Sequence, residues 1–246
     1  MQKIHVLEIK APHGGYIYPV VIEGDDEMLL IDAGYPGQLG TFKEAFVKAG
    51  LSIDQLTHIL ITHHDYDHMG ALREMVNEIR NLKVITSSEQ APYVEGIKKS
   101  LRLQQAELIF DELPEAEKQS AIAFEEALKS VAFAKVDRIV EHSQMLDIAG
   151  GIQVIMTPGH MPGHLSVYVD LSKTLVTGDA MVAENGTLLV ANPQYTLDMP
   201  KALDSIVKLS ELNLERVICY HGGEVSSNVS KKMAEIKASI LGNEGQ

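Results

Sequence analysis

The sequence predicts an α/β fold in which two strand-rich halves pack together and carry helices on their two outer faces. Three observations lead there. Short apolar runs recur in the first third of the chain and again after residue 150. Segments with a helical period follow several of these runs. Between the halves, residues 88–140 are rich in Glu, Ala, Lys, Leu and Gln, with no glycine after Gly96, and read as a helical insertion.

Lys3 to Ile9 alternates as a strand, and Tyr16 to Glu23 with Met28 to Asp32 reads as a hairpin across Gly24-Asp25-Asp26. A helix from about Leu39 to Ala49 stops at Gly50, a residue suited to a helix C-terminus. A buried strand follows at His58 to Thr62, then a polar turn, then an amphipathic helix from Met69 to Arg80 and a strand at Lys83 to Thr86. The insertion holds two or three helices. One begins after Pro114 and runs from Glu115 to Ala132, with Ala121, Phe124, Ala127, Leu128 and Val131 on one face. Three roles are open to it: a lid over the turn cluster, a surface for a second copy, or plain packing. Strands resume at Ile152 to Thr157, Leu165 to Val169, Lys173 to Thr177 and Arg216 to Tyr220. Helices at about Met199 to Leu212 and Val229 to Leu241 close the chain.

With 246 residues the chain can bury a full core, and it reads as a single domain over 1–246. A formal charge of −13 without any Lys/Arg-rich run argues against binding nucleic acid phosphates. No apolar segment is long enough to span a bilayer, and the start, Met1-Gln2-Lys3-Ile4-His5, does not read as a signal peptide. The lone Cys219 sits in an apolar run and reads as a small buried hydrophobe. A cytoplasmic location and a small-molecule partner are the corresponding expectations.

The most informative stretch is Thr62-His63-His64-Asp65-Tyr66-Asp67-His68. His63, Asp65, Asp67 and His68 are all residue types that bind metals, and they follow a strand directly. In an extended turn His63, Asp65 and Asp67 would face one side, His64 and Tyr66 the other. Three further strand ends carry similar residues: Thr157-Pro158-Gly159-His160, Thr177-Gly178-Asp179 and Cys219-Tyr220-His221. Side chains at strand termini on one rim are close in space and rigidly held, as a polyvalent cation requires.

In these four motifs, and in Leu30-Ile31-Asp32-Ala33-Gly34, the chain resembles the metallo-β-lactamase superfamily, whose pattern is His-x-His-x-Asp-His, Thr-Pro-Gly-His, Gly-Asp and a late histidine. The resemblance implies a four-layered αββα sandwich and two divalent ions, zinc first, with manganese or iron as alternatives. It implies that His63, Asp65 and His160 hold one ion, that Asp67, His68 and His221 hold the other, and that Asp179 bridges them with a shared hydroxide. One position departs from the pattern: Asp65 stands where the family has its second histidine, and His64 is out of phase to replace it. Two divalent ions bring four positive charges, the three aspartates remove three and a hydroxide a fourth. The total is zero rather than the single positive charge of a histidine-bearing site, so weaker water activation and weaker anion attraction are expected.

The implied activity is hydrolysis of an ester-like bond (ester, lactone, thioester or phosphodiester) by the metal-activated hydroxide, with Asp67 also orienting it as the catalytic residue. The alternative is an iron-dependent oxidoreductase of the same superfamily, which also places a carboxylate at the position of Asp65. Neighbouring groups read as supports: His164 as a hydrogen-bonding neighbour, Asp32 as a structural acceptor for the metal loop, Met161 and the other methionines as packing, His13 as a loop residue. His64 and Tyr66 either face the substrate or point outward. The nearest tyrosine after Asp179 is the distant Tyr195.

Overall fold

The structure, a computed structural model, describes residues 2–243; Met1 and residues 244–246 of the expected span lie outside them. The first half runs β1 (Lys3–Val6), β2 (Ile9–Lys10), β3 (Tyr16–Ile17), β4 (Val20–Glu23), β5 (Met28–Ile31), α1 (Leu39–Lys48), β6 (His58–Leu60), α2 (Tyr66–Met69), α3 (Leu72–Glu78) and β7 (Lys83–Ser87). The insertion contributes α4 (Ala91–Val94), α5 (Leu101–Ile109) and α6 (Glu115–Lys129), and β8 (Arg138–Val140) follows it. The second half comprises β9 (Met145–Leu146), β10 (Ile152–Met156), β11 (Leu165–Val169), β12 (Thr174–Val176), β13 (Met181–Glu184) and β14 (Thr187–Val190). It ends with α7 (Met199–Leu209), β15 (Arg216–Cys219), β16 (Gly223–Val225) and α8 (Val229–Asn243).

Two six-stranded sheets form, in the orders β1-β4-β5-β6-β7-β8 and β16-β15-β12-β11-β10-β9. Strand alternation builds three apolar layers from them. Val20, Ile22, Leu29 and Ile31 point inward and meet Val154, Val167, Val176 and Ile218 of the second sheet. Their neighbours Val21 and Leu30 point the other way, onto Phe42 and Phe46 of α1 and Leu72 and Met75 of α3. On the far side Leu175, Val217 and Cys219 pack against Ile206 and Leu209 of α7 and Val229 and Met233 of α8. Central strands buried on both faces read as unbroken apolar runs, which is why β5, β6 and β15 stood out in the sequence. The layers are helix, sheet, sheet, helix, the four-layered αββα sandwich expected. No helix among the described residues is long and apolar enough to cross a membrane.

Four local expectations are corrected. The strand expected at Lys3 to Ile9 ends at Val6, and the one at Tyr16 to Glu23 splits around Tyr18-Pro19. Proline has no N–H for the ladder there, although its carbonyl still accepts from the Leu7 N–H at 2.9 Å. The helix expected from Met69 starts at Tyr66 and breaks at Gly70-Ala71. The insertion does not reach residue 140, because Arg138–Val140 pairs in parallel with Ile85–Ser87 as the edge strand β8. Finally, the β13–β14 hairpin was not expected, although its Asn185-Gly186 turn, with both φ angles positive (50° and 75°), is a strong hairpin signal.

Candidate metal centre

Strands β5 and β6 run parallel, as do β12 and β15, and β10 shares their direction through the antiparallel β11. Their C-terminal ends therefore lie on one rim. The halves are stitched there by the Leu165 N–H to the Thr62 carbonyl (3.1 Å) and the Tyr18 N–H to the Tyr220 carbonyl (2.9 Å). All seven expected side chains come together on this rim. His63, Asp65 and His160 form one cluster, His63, His68 and Asp179 a second, and Asp67, His68 and His221 a third, each with ligand atoms within 4.8 Å of one another. Asp179 joins them: its Oδ2 lies 3.6 Å from His160 Nε2 and 3.5 Å from His221 Nε2, and its Oδ1 lies 3.4 Å from His68 Nε2.

The metal loop is not the extended turn expected. Asp65 has extended backbone (φ −65°, ψ 149°) and precedes the short helix α2, which carries Asp67 and His68. His64 turns away, stacks on Tyr93 at 4.2 Å between ring centroids, and has its Nδ1 2.6 Å from Gln90 Oε1. Tyr66 instead lines the cavity over the centre.

Supporting hydrogen bonds fix the imidazole tautomers. Asp32, strained at a φ of 65° and fully buried, accepts from the Thr62 N–H (2.8 Å) and the Thr62 hydroxyl (2.8 Å), and His68 Nδ1 lies 2.8 Å away. Burial pushes the Asp32 carboxyl up from its ordinary range, while His68 and Thr62 pull against that. Because the Thr62 hydrogen is committed to Asp32, His63 Nδ1–H donates to the Thr62 oxygen (3.0 Å), leaving its Nε2 lone pair to face the cluster. His164 behaves as expected, beside the cluster and not in it. Burial pushes it down to about 3, so it is neutral at pH 7 and its Nε2 accepts the Asp179 N–H at 3.0 Å. Gly178 makes that contact possible: its φ is 52°, and a Cβ there would lie 2.8 Å from His164 Nε2.

The cluster is electrostatically frustrated as a protein alone. Burial and the neighbouring His68 hold His63 well below the usual imidazole range. Burial would also depress His68, but Asp179, Asp32 and Asp67 outweigh it and drive it well above that range. Burial would raise Asp65 and Asp179, yet the imidazoles around them, and Arg102 beside Asp65, hold both carboxyls well below theirs. His63 Nε2, His68 Nε2 and Asp179 Oδ1 are buried without a hydrogen-bond partner. Unpartnered buried ring nitrogens and a carboxylate oxygen gathered together, with three carboxylates among them, fit divalent cations that would displace the protons.

A cavity of about 510 Å³ opens above the centre. The sequence reading missed most of its wall. Tyr35, Tyr66 and Phe124 form a continuous aromatic face, with ring centroids 5.1 Å and 5.8 Å apart at right angles. The β13–β14 hairpin supplies Val182, Ala183 and Glu184. The insertion supplies Phe124 and Arg102, and Arg102 is 4% exposed with its Nη2 2.7 Å from Asp65 Oδ2. One signal could have marked Arg102: a cation in the first turn of a helix opposes the helix dipole and needs a partner.

The family model for the metallo-beta-lactamase superfamily matches residues 14–221, a span that contains every residue of the cluster. The chain belongs to that superfamily. It is 30% identical over 212 residues to the probable metallo-hydrolase YflN of Bacillus subtilis, covering 79% of this chain and 75% of that one. It is 28% identical to the metallo-beta-lactamase fold-containing protein ST1585 of Sulfurisphaera tokodaii, covering 92% and 84%. Among solved structures, the metallo-beta-lactamase family protein TTHA1429 of Thermus thermophilus superposes with a TM-score of 0.71 at 20% identity, covering 97% of this chain and 79% of that one. The two-sheet fold is thus that of the metallo-beta-lactamase superfamily, and the chain is a metallo-hydrolase homologue with candidate metal-binding side chains at one rim.

Proposed function

We propose that this chain is a dinuclear metallohydrolase acting on an ester-like bond of a small molecule: an ester, lactone, thioester or phosphodiester. His63, Asp65 and His160 would hold one cation and Asp67, His68 and His221 a second, with Asp179 available to both. Zinc is the first choice for this imidazole–carboxylate set, with manganese or iron as alternatives. The observation that carries the reading is the position of Asp179, with oxygens within 3.6 Å of histidines from both groups. When bound, a cation pair supplies Lewis acidity and an ionised water near neutral pH.

The chain's own residues do the rest. Asp32 and Thr62 hold His68 and His63 in the tautomers that leave Nε2 free, and His164 anchors the Asp179 backbone. Asp67 is the catalytic residue: its Oδ2 faces His221 Nε2 at 3.2 Å from the cavity wall, placed to accept a hydrogen bond from the attacking water and orient it. Its backbone is pinned by the Tyr220 hydroxyl at 2.6 Å. The aromatic face excludes water from a bound substrate. Burial pushes the Tyr66 phenol up to about 12, so it stays protonated as a hydrogen-bond donor. The probable metallo-hydrolases among the relatives support hydrolysis over redox chemistry.

Zinc- or manganese-loaded protein is expected to turn over at least one member of a panel of esters, lactones, thioesters and phosphodiesters. Asp67→Asn is expected to lower kcat by about 100-fold or more in a folded protein. Coloured, iron-loaded protein with redox-active absorbance and no hydrolysis across the panel would overturn the reading in favour of the iron-dependent oxidoreductase.

A further inference from the structure

Asp65 stands where the superfamily pattern has a histidine, and the structure places a cation directly behind it. Arg102, the N2 residue of α5, grips Asp65 with two prongs of its planar fork: Nη2 to Oδ2 at 2.7 Å and Nε to Oδ1 at 3.3 Å. Two more of its N–H groups are committed, Nη2 to the Tyr195 carbonyl and Nη1 to Gln105 Oε1, both at 2.8 Å. The same Asp65 Oδ2 that takes Arg102 lies 3.3 Å from His160 Nε2 and 3.6 Å from His63 Nε2. One oxygen is therefore shared between the guanidinium and the first pocket.

The residue before Asp65 holds the same helix end. With Gln90 Oε1 beside its Nδ1, His64 has a free Nε2 lone pair, which accepts the Leu101 N–H at 3.2 Å. Two consecutive residues of the metal loop thus dock the start of α5, one on its backbone and one on its side chain. Among the residues lining the cavity, Arg102 is the one Lys or Arg.

We propose that Asp65 and Arg102 act as one charge-compensated ligand unit, in which Arg102 is the positioning residue that lets an aspartate serve in place of histidine and couples α5 to the first cation pocket. Asp65, Asp67 and Asp179 bring three negative charges, and Arg102 reduces the sum to two, the value of a set with histidine at position 65. The charge deficit expected from the aspartate alone is thereby offset. Arg102 also draws electron density from Oδ2 and stops the carboxylate from rotating, so Asp65 donates one oxygen as imidazole donates one nitrogen.

The inference rests on the metal-centre reading above, and cation binding tests it without reference to turnover. Wild-type protein, Arg102→Met, Arg102→Lys, Asp65→His and the double variant Asp65→His/Arg102→Met would be loaded with zinc and dialysed against a weak chelator, and the retained metal counted. The cobalt-substituted forms would be compared by their d–d absorption. Wild type is expected to keep two ions. Arg102→Met is expected to bind the first about 10–100-fold more weakly with an altered cobalt spectrum, and Arg102→Lys to recover part of the loss. Asp65→His alone, which strands a buried guanidinium, is expected to speed hydrogen exchange of the α5 amides. The double variant is expected to regain both the first-pocket ion and slow exchange. Should wild type and Arg102→Met both keep two ions with the same spectrum, or should the two substitutions merely add in the double variant, the coupling is refuted while the hydrolase reading stands. No uptake of zinc by wild type would refute both.

Discussion

Asp32 lies among the aspartates nearest the centre, yet its oxygens are spent on Thr62 and on His68 Nδ1. Asp32→Ala would leave the Thr62 N–H and His68 Nδ1–H buried without acceptors. We expect it to cost about 2–3 kcal/mol in urea unfolding and about 10–100-fold in affinity at the second cation pocket by metal titration; unchanged affinity would remove Asp32 from the support of His68. At this scale the seven candidate ligands, Asp32 and His164 were legible, because each sits at a strand end in a recognisable local motif. Arg102 was not, and Phe124 only as part of a helix face whose role was open. They lie far along the chain inside a region of helical composition, and only the tertiary docking of α5 and α6 brings them to the cavity.

Loops between elements carry the site, so their backbone geometry matters as much as the ligands. Gly159, just before His160, has a φ of 140°, and a Cβ there would meet the Ala202 backbone nitrogen of α7 at 2.2 Å. Gly159→Ala is expected to cost about 2 kcal/mol or more and to weaken cation binding, because the Leu197 N–H and Asp198 N–H bonds to the His160 and Gly159 carbonyls would break together. Thermal unfolding with and without zinc checks both effects; a stable variant with full cation affinity would contradict the placement of that turn. Most elements were readable from period and punctuation, β11 to the residue. The metal loop was misread as extended because a four-residue helix leaves no periodic signature. The β13–β14 hairpin was readable from Asn185-Gly186, but its strands are short and lie between stronger motifs.

Across the whole molecule, the candidate centre draws its side chains from both sheets, which also meet through apolar packing and rim hydrogen bonds. Cations that bind the folded state alone add RT ln(1 + [L]/Kd) to stability, about 2.7 kcal/mol for each site at a hundredfold excess over Kd. Removing both with a strong chelator is therefore expected to lower Tm by about 10–20 °C in calorimetry, and restoring zinc to reverse it; an unchanged Tm would mean the rim carries no structural cation. The layering could be anticipated from two strand-rich halves with flanking helices. Strand order could not, since the parallel β5–β6–β7–β8 and β12–β15 pairings join residues far apart in sequence. Anomalous scattering at the zinc edge from a zinc-soaked crystal tests the central claim most directly. The account requires two peaks, one among His63, Asp65 and His160 and one among Asp67, His68 and His221, with Asp179 against both. A map with no peak among these side chains would contradict it.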